Sequence, residues 1–121
     1  MNLVQQVVDA LETNEQKARD GVGLLLFAIR FGTDQQTFEA IKRAYPDAQS
    51  LLTHALAAGG RTAEMLAVAN PAAVRKSLEN AGYAAGELER LGRTVGDGLA
   101  AAVDAAAHQR LRATIEQVTA G

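Results

Sequence analysis

The sequence predicts an all-α protein, a compact irregular bundle of about six or seven helices around one buried central helix. Apolar residues recur at helical spacing along most of the chain, and no segment shows the alternation typical of a strand. Residues 22–29, with the sequence VGLLLFAI, form an apolar block that a helix would bury on nearly every side. Only 4% of the residues are aromatic, which favours thin, closely packed helices, and 121 residues suit one domain spanning 1–121.

The first helix is predicted from the apolar residues of the N-terminal segment, which are Leu3, Val4, Val7, Val8 and Leu11. Thr13 and Asn14 can then cap the central helix. Its inward stripe comprises Ala18, Gly21, Val22, Leu25, Leu26 and Ile29. Further apolar residues cover much of its remaining surface: Leu24, Phe27, Ala28 and Phe31.

Two glycines interrupt the central helix, although each costs about 1 kcal/mol of helix propensity relative to alanine. We expect Gly21 and Gly23 to let another helix approach the backbone closely. A phosphate-binding loop is the alternative, but the Lys-Ser/Thr pair and the preceding strand of that motif are missing. Arg30 is expected to interact with the C-terminal end of the helix dipole or to extend towards solvent.

Turn and capping residues predict where the helices in the middle of the chain begin and end. Gly32 can end the central helix, Thr33 or Asp34 can cap the next, and Pro46 can stop it. The inward residues of that helix are Phe38, Ile41 and Tyr45. A fourth helix would bury Leu51, Leu52, Ala55 and Leu56 and end at Gly59-Gly60.

The second half is predicted to begin with a short helical segment capped by Thr62, carrying Met65, Leu66 and Ala69. Asn70-Pro71 would start a helix with Val74 and Leu78 inward and Gly82 at its end. Apolar residues then recur mostly every fourth position, at Leu88, Leu91, Val95, Leu99, Val103, Ala107, Leu111, Ile115 and Val118. One continuous helix would be exceptionally long, so a bend or break is expected around Gly96-Asp97-Gly98. The high helix propensity of the Ala-rich segment 100–107 favours order over disorder there.

Two stretches resemble the VcgC/VcgE-like family of uncharacterised bacterial proteins. The first, KARDGVGLLLFAIRFGTDQQTFEAIKRAYPDAQSLL, carries the resemblance at Gly21, Gly23, Phe38, Pro46 and the Leu51-Leu52 pair. The second is LENAGYAAGELERLGRTVGDGL. The resemblance implies a multihelical bacterial domain of unknown function and carries over no catalytic residue.

Charge and composition narrow the classes of function. Twelve basic and fourteen acidic side chains give a net charge of −2 and imply no polyanionic partner. The absence of cysteine excludes disulfides, thiolate nucleophiles and the common structural zinc sites. The N-terminal segment reads as an amphipathic helix rather than a signal peptide, and no apolar run reaches the ~18 residues of a membrane span. We therefore expect a cytoplasmic protein without a metal or other cofactor.

Few side chains suggest catalysis. His54 and His108 lie in different predicted helices and neither has a histidine partner at the i+4 position, so His54 is interpreted as a boundary residue and His108 is given no role. The carboxylate pairs Glu12/Glu15 and Glu87/Glu89 are interpreted as exposed helix-face charges. No catalytic, cofactor-binding or metal site is predicted.

The sequence therefore favours a non-enzymatic protein that binds a protein partner or a second copy of itself. Gly92 and Gly96, in a G-x-x-x-G arrangement, could support a homodimer, although such spacing also reflects internal packing. An apolar small-molecule or lipid-binding bundle is one alternative. Another is DNA binding through a helix-turn-helix-like segment, 62–82, in which Arg75 and Lys76 would meet the nucleic acid; the acidic net charge disfavours it.

Overall fold

Seven α-helices make up most of the chain that the computed structural model describes, residues 3–59 and 71–119. No strand occurs within these residues. The helices are α1 (Leu3–Leu11), α2 (Glu15–Gly32), α3 (Gln35–Ala44), α4 (Ala48–Gly59), α5 (Pro71–Asn80), α6 (Ala85–Leu99) and α7 (Ala105–Thr119). The all-α bundle predicted from the apolar spacing is confirmed.

Helix α2 is the centre of the bundle. Every residue from Gly21 to Ile29 is buried, and Val22, Leu25, Leu26 and Ile29 have no exposed surface. Each of the other six described helices packs against α2. The apolar block therefore occupies the centre because a helix that is hydrophobic all round must be covered on all sides.

The outer helices bury one apolar stripe each. These stripes include Leu3, Val4, Val7 and Leu11 of α1, Phe38 and Ile41 of α3, Leu51 and Leu52 of α4, Val74 and Leu78 of α5, Leu88, Leu91, Val95 and Leu99 of α6, and Ala107, Leu111, Ile115 and Val118 of α7. Val8, Tyr45 and Val103 are partly buried against this core. The period of the sequence pattern thus predicted the core-facing residues correctly.

Side-chain caps define where α2 and α3 begin. The Oδ1 atom of Asn14 accepts a hydrogen bond of 2.8 Å from the Lys17 amide at the start of α2. Asp34 caps α3 in the same way, because its Oδ1 accepts from both the amide and the hydroxyl of Thr37, at 2.7 and 2.8 Å. As predicted, both cap side chains accept hydrogen bonds from amides that have no partner within the helix.

The C-terminal break lies later than predicted. Gly96, Asp97 and Gly98 are helical, α6 continues to Leu99, and the connection to α7 is residues 100–104. Gly98 lies close to α1, because a Cβ there would lie 2.6 Å from Cδ2 of Leu3. Asp104 instead starts α7, accepting a hydrogen bond of 2.8 Å from the Ala107 amide. Residues 100–103, the first part of the Ala-rich segment, therefore form a turn, and α7 begins at Ala105.

The close approach at Gly21 was predicted, but its partner is a tyrosine in a loop rather than another helix. Gly82, with φ of +105°, turns the chain after α5 and brings Tyr83 back against α2. A Cβ on Gly21 would lie 2.6 Å from the ring carbon Cζ of Tyr83. The Tyr83 hydroxyl donates a hydrogen bond of 2.6 Å to the Lys17 carbonyl, so glycine makes room for an anchored aromatic ring.

Some predictions lie outside the described residues. They concern Gly60, the segment capped by Thr62 with its apolar residues Met65, Leu66 and Ala69, and the Asn70 cap. The predicted inward positions of Phe31, Ala55 and Leu56 concern side chains that are likewise not described.

Candidate functional site

A solvent-open cleft lies between α5, α6 and α7. Its volume is about 600 Å³. The described residues that line it are Arg75, Ala85, Glu89, Gly92, Arg93, Arg112, Ile115, Glu116 and Thr119. Because three of the nine are arginines, we call it the arginine cleft.

The floor of the arginine cleft is the contact between α6 and α7. Gly92 of α6 is buried, and a Cβ there would lie 2.8 Å from Cγ2 of Ile115 and 3.1 Å from Cγ2 of Thr119 on α7. One turn further along α6, Gly96 faces Ile115 and Arg112. The two helices are thus antiparallel, and the absence of a side chain at Gly92 allows them to approach closely.

The three arginines of the cleft differ in the groups that their guanidinium groups contact. Nη1 of Arg75 donates a hydrogen bond of 3.1 Å to the carbonyl of Thr119, at the C-terminal end of α7, where backbone carbonyls lack a helical partner. Nη2 of Arg93 lies 3.2 Å from Oε1 of Glu89 one turn earlier on α6. Arg112 is exposed and forms no ion pair within the described residues. At least one guanidinium in the cleft is therefore available to an external anion.

The charge of the arginine cleft differs in sign from that of the whole chain. Three arginines face two glutamates, Glu89 and Glu116, among its described lining residues, whereas the chain carries a net charge of −2. A guanidinium presents five N–H donors in a planar fork that matches a carboxylate or phosphate group. The arrangement can therefore bind an anionic group, while Glu116 would repel one.

A second polar cluster joins the first half of α2 to α4 and to the start of α6. Asp20 Oδ1 lies 3.0 Å from Nε2 of His54 and 3.3 Å from the side-chain amide nitrogen of Gln16. On the neighbouring face, Nζ of Lys17 lies 2.8 Å from Oε2 of Glu87. The His54 and Lys17 contacts connect residues that are far apart in the sequence and help to hold α4 and α6 against α2.

Tyr83 lies at the inner side of this second cluster. The ammonium of Lys17 lies 4.9 Å from the centre of the Tyr83 ring, which is 3% exposed. Burial raises the pKa of the Tyr83 phenol well above its ordinary value, and the negative charges of Asp20 and Glu87 act in the same direction. The phenol is therefore protonated at neutral pH and acts as a hydrogen-bond donor.

Each of the two histidines contacts a group on another helix. His54 is a boundary residue with a third of its side chain exposed, and its contact with Asp20 was not predicted. His108 Nε2 lies 3.1 Å from the carbonyl oxygen of Gly96. Within residues 3–59 and 71–119, no three histidine, aspartate or glutamate side chains are grouped so that they could hold a metal ion.

One interpretation of the carboxylates was wrong. Glu12, Glu15 and Glu89 are exposed as expected, but Glu87 is only partly exposed and bonds two groups. One of its oxygens contacts Lys17, and the other accepts a hydrogen bond of 3.1 Å from the Ala84 amide at the start of α6. These two interactions lower the pKa of the Glu87 carboxyl group, with the Lys17 hydrogen bond as the larger cause.

The helix-turn-helix-like segment is described only from residue 71 onward, so its first helix cannot be compared with the motif. On α5, Lys76 is exposed and Arg75 is half-buried. Arg75 lines the arginine cleft and bonds Thr119 of the same chain. The arginine of this segment therefore faces α7.

A smaller open cleft of about 240 Å³ lies beside α1, α2 and α4. It is lined by Val4, Gln5, Glu15, Arg19, Asp47, Ser50 and Leu51. Its charged residues are one arginine and two acids, of which Arg19 and Glu15 lie 3.9 Å apart. We take the arginine cleft as the candidate site because it is larger and is lined by Arg112, which is exposed and forms no ion pair within the described residues.

Comparison with protein-family models, with curated proteins and with solved structures found no match to this chain. None of the helices within the described ranges is long and apolar enough to span a bilayer. The resemblance to the VcgC/VcgE-like family stays a prediction.

The arginine cleft itself was not predicted. Its charged residues come from three helices, and periodicity places Arg93 and Arg112 only on the outer faces of α6 and α7. No short motif marks a site of this kind. The Gly92 and Gly96 pair was the one available signal, because it indicated close packing on this side of α6.

Proposed function

We propose that this chain is a non-enzymatic protein-interaction module that binds its partner in the arginine cleft. The observation that carries the proposal is a cleft of about 600 Å³ with a packed floor at Gly92 and Ile115 and five charged side chains around it. Arginine is enriched at protein interfaces.

The same geometry gives less support to the other candidate functions. The cleft is open and charged, whereas sites for apolar molecules are mostly enclosed and apolar. Gly92 and Gly96 pack against α7 of the same chain, so they offer no exposed surface for a homodimer. Arg75 bonds Thr119, which weakens the argument for DNA binding. A cytoplasmic location and a bacterial origin stay predictions.

Site-specific photo-cross-linking in cells of the source organism tests the proposal. A photoreactive amino acid replaces Ala85, an exposed residue that lines the cleft at the start of α6. The matched control replaces Ala106, an exposed alanine at the start of α7 that does not line the cleft. Both variants keep the charges of the cleft.

We expect a discrete cross-linked product from the Ala85 variant and none from the Ala106 variant, and the Arg112→Glu change should abolish that product. A product of twice the chain's mass would identify a second copy as the partner, whereas any other discrete mass would identify a different protein. Equal products at both positions, or none at Ala85, would contradict binding in the cleft.

A further inference from the structure

Resting on the proposed function, we infer that the arginine cleft recognises an acidic segment of its partner protein, with Arg112 as the principal carboxylate-binding residue. Arg112 is exposed, and within the described residues no carboxylate lies close enough to pair with it. Its fork can therefore form two parallel hydrogen bonds to one carboxylate without first breaking an ion pair.

The neighbouring groups support the same choice of partner. Arg75 is held in place by its bond to Thr119, and that bond uses only one of its five donors. Arg93 is held less firmly, because its pair with Glu89 is largely exposed and such pairs contribute little. An acidic segment along the cleft would thus meet one unpaired arginine and two that retain free donors.

Charge complementarity also favours an acidic segment over a basic one in the arginine cleft. A basic segment would meet three arginines, and of the two glutamates one is already shared with Arg93. The remaining acid, Glu116, lies one turn from Arg112 on α7 and would repel a carboxylate. Removing Glu116 should therefore strengthen the binding of an acidic segment and weaken that of a basic one.

The test uses a fluorescein-labelled peptide of about ten glutamates and the whole chain, with binding followed by fluorescence anisotropy at low and at physiological salt. We expect saturable binding that weakens as salt rises, because exposed charges are screened. Arg112→Ala should weaken binding at least about fivefold, and Glu116→Gln should tighten it about twofold. Arg43→Ala, which removes an exposed arginine of α3 outside the cleft, should change it by less than about twofold.

Several results would overturn the inference: no binding at low salt, equal weakening by Arg112→Ala and Arg43→Ala, or weaker binding after Glu116→Gln. Tighter, Arg112-dependent binding of a labelled single-stranded DNA oligonucleotide would assign the cleft to phosphate groups instead. Thermal unfolding should be unchanged in all three variants, since each alters an exposed side chain.

The failure of this inference is distinguishable from that of the proposed function. A cross-linked product at Ala85 without binding of polyglutamate would mean that a partner occupies the cleft but is not acidic. No product at Ala85, whatever the peptide does, would contradict the proposed function itself.

Discussion

Replacing Gly21 by alanine should destabilise the protein, although alanine is the better helix former. Gly21 lies in the middle of α2, where the change alone would contribute up to about 1 kcal/mol of stability. The added Cβ would lie 2.6 Å from Cζ of Tyr83 and would also overlap its hydroxyl. The ring is 3% exposed and its hydroxyl is bound to the Lys17 carbonyl, so it has little room to move.

The magnitude follows from these opposing effects. Displacing a packed ring falls at the upper end of the cost of overpacking, about 3 kcal/mol. Losing the 2.6 Å hydrogen bond to Lys17 adds about 1 kcal/mol, and the gain in helix propensity offsets a similar amount. We therefore expect Gly21→Ala to lower the free energy of unfolding by about 3 kcal/mol, which corresponds to a fall in Tm on the order of 10 °C.

A double-mutant cycle, measured by urea unfolding and far-UV circular dichroism, separates packing from propensity. Tyr83→Leu removes the three tyrosine atoms that meet the added Cβ, namely the hydroxyl oxygen and the ring carbons Cζ and Cε2. In that background Gly21→Ala should become neutral or stabilising by up to about 1 kcal/mol, because only the propensity gain is left. Gly86→Ala is the matched control: a Cβ at this exposed glycine of α6 meets nothing within 4 Å, so stability should not fall.

The cycle would refute the packing argument in either of two ways. An unchanged free energy of unfolding for Gly21→Ala in the natural chain would mean that the ring moves away at no cost. Alternatively, the loss could be the same with tyrosine and with leucine at position 83, and then the added methyl group would be meeting something other than the ring.

Two further predictions concern the core and the response to acid. Leu25→Lys should abolish cooperative unfolding, because an ammonium group placed at this fully buried position costs several kcal/mol of the 5–15 kcal/mol that typically stabilise a domain. Glu87→Gln should make stability less dependent on pH in the acid range. The pKa of Glu87 is lowered in the folded state, so its stabilising effect is present above the ordinary value of 4.5 and is lost as pH falls through the folded pKa.

Each of these has a matched control. Gln49→Lys introduces the same charge at an exposed position of α4 and should leave the circular dichroism and Tm unchanged; a folded Leu25→Lys variant with the natural Tm would disprove the central position of α2. For the acid response, urea midpoints are compared between pH 3 and 7, a window that brackets the carboxyl titration. Glu89→Gln changes a residue on the exposed face of the same helix, and its urea midpoints should depend on pH as those of the natural chain do. If the midpoints of Glu87→Gln also depend on pH as in the natural chain, the role given to the contact with Lys17 is contradicted.

Local sequence signals predicted most of the fold. Asn14 and Asp34 were recognisable caps because their side chains act on amides three residues away, and the apolar stripes needed only the helical period. The predicted break around Gly96-Asp97-Gly98 was wrong because these glycines do not interrupt α6, which continues to Leu99. Gly92 and Gly98 are helical residues that make room for Ile115 and Leu3, and that requirement arises between helices.

The candidate site was much less predictable. Arg75, Arg93 and Arg112 belong to three helices, and no local spacing indicates that their side chains line one cleft. The pair of His54 and Asp20 was missed for the same reason, since 34 residues separate them. Such contacts depend on the rotation of each helix about its axis and on the angle at which two helices cross. Periodicity shows only which face of each helix is apolar.

By itself, the sequence of this protein determined its class, the extent of most of its helices and the burial of α2. Helical hydrogen bonds join residues four apart, and the local pattern of apolar residues shows which surfaces of a helix must be covered. The tertiary structure alone decided that Tyr83 fills the space at Gly21, that Glu87 pairs with Lys17, and that three arginines border one cleft. These contacts depend on the close packing of whole helices, in which a side chain's partner is chosen by shape and position rather than by distance in sequence.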